Sequence, residues 1–183
     1  MNKEFKLINE LKDRRTQDKA FKSLLVQYKQ PLYWHIRKIV LNHDDADDVL
    51  QNTFIKIFKG IKKFKGDSKL YTWMYRIATN EALNFLKLKA KKYFQSSEEM
   101  MNSLAINLKE DPYFDGDALQ LQLQIFIASL PKKQKLVFQM KYEQNMKFKD
   151  ISEILGTSIG ALKASYHLAV KKIKLEIEKI QTF

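Results

Sequence analysis

The stretch KFKDISEILGTSIGALKASYHLAVKK, Lys147 to Lys172, constrains the fold more than any other, because it reads as two short helices joined by a tight turn. Ile151, Ile154 and Leu155 form the buried side of the first helix, Asp150 is placed to cap or charge its start, and Gly156 supplies the left-handed residue that stops it. Thr157 or Ser158 then caps a second helix. At 3.6 residues per turn, Ile159, Leu162, Tyr166, Ala169, Val170, Ile173 and Ile177 of that helix share one sector. Ala161, Ala164, Ser165, His167, Leu168 and Lys171 face the other way. Such a pair is either an ordinary helical hairpin or a helix-turn-helix that lays its small, mildly basic outer face in a major groove.

Composition narrows the rest. Across 183 residues, 45% apolar content supports folded cores, while five glycines and three prolines leave little material for a turn-rich β protein, so an all-α chain is expected. The chain has no cysteine, which rules out disulfides and thiolate metal sites. Charges interrupt the apolar runs throughout, so neither a membrane span nor a signal peptide is expected, and a soluble cytoplasmic protein is. The three histidines, at 35, 43 and 167, are scattered. With no glycine-rich phosphate loop and no serine elbow, they leave no constellation for catalysis, so no enzyme, metal or cofactor is expected.

The net charge of +12 is unevenly spread. Residues 1–95 hold 21 basic and 10 acidic side chains, residues 96–120 hold 1 and 6, and residues 121–183 hold 11 and 5. Two basic blocks therefore flank an acidic one. This suits two nucleic-acid-facing modules joined by a linker that stays off phosphate, although lysine-rich surfaces also serve solubility alone.

Phe5 to Leu41 carries apolar residues at helical spacing and reads as scaffold, with a kink or restart expected at Pro31 and with Trp34 and His35 packed inside. Next comes HDDADDVLQNTFIKIFKGIKKF, His43 to Phe64, whose opening carboxylates suit a helix N-terminus. A calcium loop is excluded, because its twelfth position is Ile55 or Lys56 and its turn glycine is missing. Val49, Leu50, Ile57 and Ile61 define a buried face, while Asp44, Asp48, Gln51 and Ile55 fall opposite. An isoleucine within an acidic and amide stripe points to a partner that covers it.

In FKGDSKLYTWMYRIATNEALNFLKLKAKKYF, Phe64 to Phe94, Gly66 and Asp67 make a turn, Ser68 caps, and a long helix follows. Leu70, Met74, Ile77, Phe85 and Leu88 share a core sector. Trp73, Arg76, Asn80, Asn84, Lys87 and Lys91 form a second ridge with a ring for stacking, amides for base edges and cations for phosphates. Trp73 suits either packing or contact, and the lysines at the helix end also suit its dipole.

Taken in order, these stretches resemble a bacterial RNA polymerase sigma factor of the extracytoplasmic-function subfamily across nearly the whole chain. DDADDVLQNTFIKIF resembles the polymerase-binding helix of region two, TWMYRIATNEALNFLK the promoter −10 helix, and the segment from Leu130 onward region four. The short spacer SSEEMMNSLAINLKEDPYFDGD, Ser96 to Asp117, separates the subfamily from larger sigma factors with an additional domain there. The resemblance implies a region-two helical bundle over 1–95, an acidic linker over 96–120 and a region-four helix-turn-helix over 121–183. It also implies a monomer that binds core RNA polymerase, promoter DNA and an anti-sigma factor, with transcription initiation as its function.

Residue by residue, the resemblance assigns Asp48, Gln51, Asn52 and Ile55 to the clamp of the polymerase largest subunit. It assigns the loop Lys65 to Tyr71, with Lys65, Lys69 and Tyr71, to capture of an unstacked −10 base, and Trp73, Arg76, Asn80, Asn84 and Lys87 to the upstream fork. The helix from Ser158 to Lys172 is implied to enter the −35 major groove. Where family members often show arginine after a Lys-Ser pair and again three residues on, this chain has Lys163-Ala164, then Ser165 and Leu168. Bidentate guanine readout is thus missing there. Readout is expected from Ser158, Lys163, Ser165, His167 and Lys171, with Ala161 and Ala164 against thymine methyls. A stand-alone helix-turn-helix regulator is the alternative, and it leaves Ile55 unexplained.

Overall fold

The computed structural model describes residues 3–93 and 118–181, with side chains 92, 93, 180 and 181 left aside; the acidic spacer over 96–117 lies outside these residues. Every regular element among them is helical. The chain forms two compact units that divide between Lys89 and Ala90.

The first unit contains α1 (Lys3–Lys12), α2 (Gln17–Val40), α3 (His43–Gly60), a 3₁₀ turn (Ile61–Lys63) and α4 (Leu70–Tyr93). Helix α2 runs through Pro31 without the expected restart. Pro31 lies on the exposed side, so the carbonyl that it leaves unbonded opens to water. At the corner into α3, Leu41 adopts a left-handed conformation (φ 64°) and its N–H donates to the Arg37 carbonyl. Asn42 then caps α3, its side-chain oxygen accepting from the Asp45 N–H at 2.9 Å. Asp44 and Asp45 stand inside the first turn, where they favour the positive end of the helix dipole.

The core of this unit includes Leu11, Leu24, Leu32, Ile36, Ile39, Val49, Leu50, Ile57, Ile61, Leu70 and Met74, all essentially inaccessible. His35 is packed as expected, with Nε2 2.8 Å from Thr79 Oγ1. Because the Thr79 hydroxyl donates its one proton to the Tyr75 carbonyl at 2.7 Å, it accepts from His35, which places a proton on Nε2. Trp34 is only half-buried, edge-on to Tyr33, and is less a core residue than expected. Leu88 corrects the core reading of α4: it is 67% exposed, whereas Ile77 and Phe85 are half-buried.

The second unit contains α5 (Ala118–Ser129), α6 (Lys132–Phe138), a π-helical turn (Gln139–Glu143), α7 (Phe148–Leu155) and α8 (Ile159–Gln181). Ile127, Leu130, Phe138, Ala169 and Ile173 form one core cluster, flanked by Leu123, Phe126, Tyr166, Val170 and Ile177. Tyr166 of α8 meets Phe148 of α7 edge-on at 5.9 Å and stacks over Phe138 of α6 at 6.3 Å. One ring thereby ties three helices together.

Tyr75 supplies a pH test of the first unit. Burial, with a smaller contribution from Tyr28, pushes its phenol up to about 12, against about 10 in an unfolded chain. Between these values the unfolded state loses the proton and the folded state keeps it, so unfolding is favoured. Chemical denaturation should show stability falling from about pH 10 toward pH 12, and Tyr75→Phe should flatten that fall.

Candidate functional site

Helix α3 carries the first candidate surface. Its buried side is Ala46, Val49, Leu50, Thr53, Phe54 and Ile57, while Asp44, Asp48, Gln51, Asn52 and Ile55 are all exposed. Ile55 stands 50% exposed in that row. The other two opening carboxylates are engaged inside the unit: Asp45 accepts from Lys89 of α4 at 2.6 Å, and Asp47 lies 3.7 Å from His43. Lys56 reaches Glu81 of α4, also at 2.6 Å. Two ion pairs in this order mark α3 and α4 as antiparallel and report their register.

Helix α4 presents the second surface. Arg76, Asn80, Asn84, Lys87 and Lys91 are exposed at steps of three and four residues, as one ridge. Trp73 departs from that ridge. Its indole is half-buried, 5.0 Å from the Phe64 ring, and it covers Gly60 so closely that a Cβ built there would lie 3.2 Å from Cζ2. Packing thus holds one side of this ring.

Ahead of α4 lies the loop from Lys65 to Lys69, in which Gly66 has φ +85° and Lys65 and Lys69 are exposed. Tyr71, at the start of the helix, is half-buried, edge-on to Tyr75 at 5.5 Å, with Lys69 Nζ 5.8 Å from its ring centroid. The expected cap of α4 by Ser68 is replaced by a distant residue: the Leu70 N–H donates to the Glu4 carboxylate of α1. Lys12 of the same helix donates to the Phe64 carbonyl at 2.6 Å. One helix therefore grips both ends of the loop. Neither grip follows a local pattern, since the partners are 66 and 52 positions apart. Lys59, Lys62 and Lys63 are also exposed beside this loop and add charge that the ridge pattern did not include; the run IKKFK was the available signal.

In the second unit, α7 and α8 form the expected helix-turn-helix. Gly156 (φ +62°) closes α7, its N–H donating to the Ser152 carbonyl at 2.9 Å, and Ser152 Oγ donates across the turn to the Thr157 carbonyl at 2.7 Å. Ser158 is the cap of α8, accepting from the Ala161 N–H at 3.4 Å, while Thr157 Oγ1 points back to the Leu155 carbonyl. Asp150 is buried at the third position of α7, so it charges the first turn, as one of its two expected roles, and is not the N-cap residue. Leu162 and Ala169 are inaccessible, but Ile159 is 41% exposed and leaves the core side assigned to it. As the first residue of α8, it projects past the turn.

Ser158, Ala161, Lys163, Ala164, His167 and Lys171 are exposed, and Ser165 is half-buried. Leu168 is 48% exposed on the same outer side. No described helix is long and apolar enough to cross a membrane.

Replacing Glu4 with Ala removes the carboxylate that accepts from Leu70. A lost cap costs about 1 kcal/mol, or roughly fivefold, so hydrogen exchange at the Leu70 amide should quicken by about that factor. Exchange in α8 should stay unchanged.

The family description sigma-70 region 2 matches residues 24–92, and sigma-70 region 4 matches residues 120–173. The chain is 27% identical over 172 residues to the ECF RNA polymerase sigma-E factor of Haemophilus influenzae, covering 88% of this chain and 89% of that protein. It is 25% identical over 169 residues to the RNA polymerase sigma factor SigV of Bacillus subtilis, covering 92% and 98%. Among solved structures, that of CnrH in complex with the cytosolic domain of CnrY superposes with a TM-score of 0.71 at 17% identity, over 97% of this chain and 99% of that one. The sigma factor RpoE from Bartonella quintana, crystallised with the anti-sigma factor NepR, gives 0.67 at 18% identity, over 88% and 98%. At such identities the likeness to the two structures is one of fold.

Proposed function

The chain belongs to the sigma-70 family as a sigma factor of the extracytoplasmic-function type, and from that premise we propose how its two units divide promoter recognition. The protein directs promoter-specific transcription initiation by core RNA polymerase. In this reading the 1–95 module docks on the polymerase clamp and melts the −10 element, the 121–183 module reads the −35 element, and 96–120 links them.

The observation that carries the assignment is the outward row Asp48, Gln51, Asn52 and Ile55. A half-exposed isoleucine among acidic and amide groups loses apolar contact with no return in the lone chain, and a partner that covers it recovers that loss. The loop with Lys65, Lys69 and Tyr71 receives an unstacked base. Arg76, Asn80, Asn84 and Lys87 lie along the upstream fork, with the partly exposed edge of Trp73 beside them. In the second module Ser158, Ala161, Lys163, Ala164, Ser165, His167 and Lys171 line the −35 groove.

Energetics require the division of labour. Opening about ten base steps forfeits on the order of 14 kcal/mol of stacking, whereas a DNA-binding protein with a Kd near 10 nM gains only about 11 kcal/mol. The polymerase supplies the difference and fixes the spacing of the two modules, which raises the effective concentration of the second. The protein acts in the cytoplasm, where polymerase and promoter are, and an anti-sigma factor holds it inactive.

Transcription with core polymerase on a random promoter pool tests the function: selective initiation from templates sharing two spaced elements is expected. Tight operator binding without polymerase, and no capture of core, would favour a stand-alone regulator. Ile55→Asp should leave folding intact, because the side chain is half-exposed, and weaken core binding by roughly tenfold to a hundredfold. Unchanged affinity in a titration of core would remove Ile55 from the interface.

A further inference from the structure

The outer face of α8 is a narrow ridge made by Ala161, Ala164, Leu168 and Lys171, at steps of three, four and three residues, opposite the buried Leu162, Ala169 and Ile173. Three of its four members are apolar. Leu168 is the one large apolar side chain among them and stands 48% exposed, with no role in the core cluster of its unit.

The two alanines at the helix start let the backbone approach a groove floor closely, and Leu168 reaches farther two turns on. From Ala161 to Leu168 is about 10 Å along the axis, which spans roughly three base-pair steps. Lys163, Lys171 and Lys172 are exposed around the ridge and suit phosphates on the groove walls. Charge at the margins with apolar groups at the centre is complementary to a major groove whose floor carries methyl groups. Only thymine presents one there.

We propose that Leu168 is a specificity-determining residue that packs against a thymine C5-methyl of the −35 element, so that α8 selects T·A pairs by apolar contact at its centre. The inference rests on the reading of α8 as the −35 helix. Guanine presents acceptors at the same place, and the leucine side chain leaves them without a partner, so G·C is disfavoured at that step.

The test uses the full chain with core polymerase and a promoter selected from the random pool. Each thymine of its −35 element is replaced singly by deoxyuridine, which removes the methyl and keeps every hydrogen-bonding group. At one step the wild-type protein should lose about fourfold in open-complex formation, the loss expected for one methyl group returned to water. Leu168→Ala should initiate about fourfold less on the thymine promoter and be indifferent to uracil at that step, with core affinity and thermal unfolding unchanged. Wild-type indifference to uracil at every −35 position would overturn the proposal without any variant. Sensitivity that persists in Leu168→Ala would overturn the assignment to this residue. A pool that yields no selective initiation would overturn the sigma reading and this one with it, and is distinguished by the lack of any promoter.

Discussion

The register between α3 and α4 governs how the two candidate faces of the first unit are aligned. Lys56 with Glu81 and Asp45 with Lys89 fix it at two points, in antiparallel order. Each lysine is about half-exposed, so each pair adds only about 0–1 kcal/mol, and stability comes from the apolar seam beneath. What the pairs supply is alignment. A slip of one turn would part both pairs together, and it would move the acidic row of α3 by about 5 Å relative to the amide and basic ridge of α4. The same pairing engages one of the four aspartates that open α3. Asp45 is engaged toward α4 and Asp47 lies beside His43 on its own helix, while Asp44 and Asp48 stand on the outer row with Ile55.

A second constraint acts on the loop between the 3₁₀ turn and α4. Its glycine has positive φ, and Lys65 and Lys69 are exposed. Glu4 and Lys12 of α1 take hold of the backbone at its two ends. A surface that receives a base loses affinity for every rotor it has to freeze, and a loop already held by its flanks has fewer left. Helix α1 thus positions the backbone of another segment, the loop to which the proposed function gives the −10 base.

Local periodicity was enough to sort the stretch around α3, where Val49, Leu50, Ile57 and Ile61 went inside and Asp44, Asp48, Gln51 and Ile55 stayed out, and to locate the Gly156 turn. It failed where an element outruns its neighbour. Leu88 keeps the heptad of its helix, but Lys89 already meets the first turn of α3, so no helix remains to cover it. Ile159 fails for the same reason at the opposite kind of boundary, the first turn of α8. The cap from Glu4 and the clamp from Lys12 were invisible in the sequence, because contacts across more than 50 residues leave no spacing signature. The assignment of a partner to each exposed row rests on family resemblance and belongs to the proposed function, since periodicity names no partner.

The second unit resolves an apparent weakness of its recognition helix. Read alone, an outer face of alanines, one leucine and a few lysines offers little affinity for DNA, since phosphate neutralisation supplies most of it and guanine-reading arginines are missing. A tethered module is judged by a different standard. In the proposed function, polymerase and the −10 contacts hold the promoter, so that α8 meets the −35 element at an effective concentration in the millimolar range. A difference of a few-fold per base pair then suffices to bias initiation. Strong intrinsic affinity would work against a sigma factor, because it would retain the protein at sites that no polymerase occupies. Weak readout by apolar contact, as proposed for α8, would discriminate only after assembly and so couple sequence choice to the polymerase.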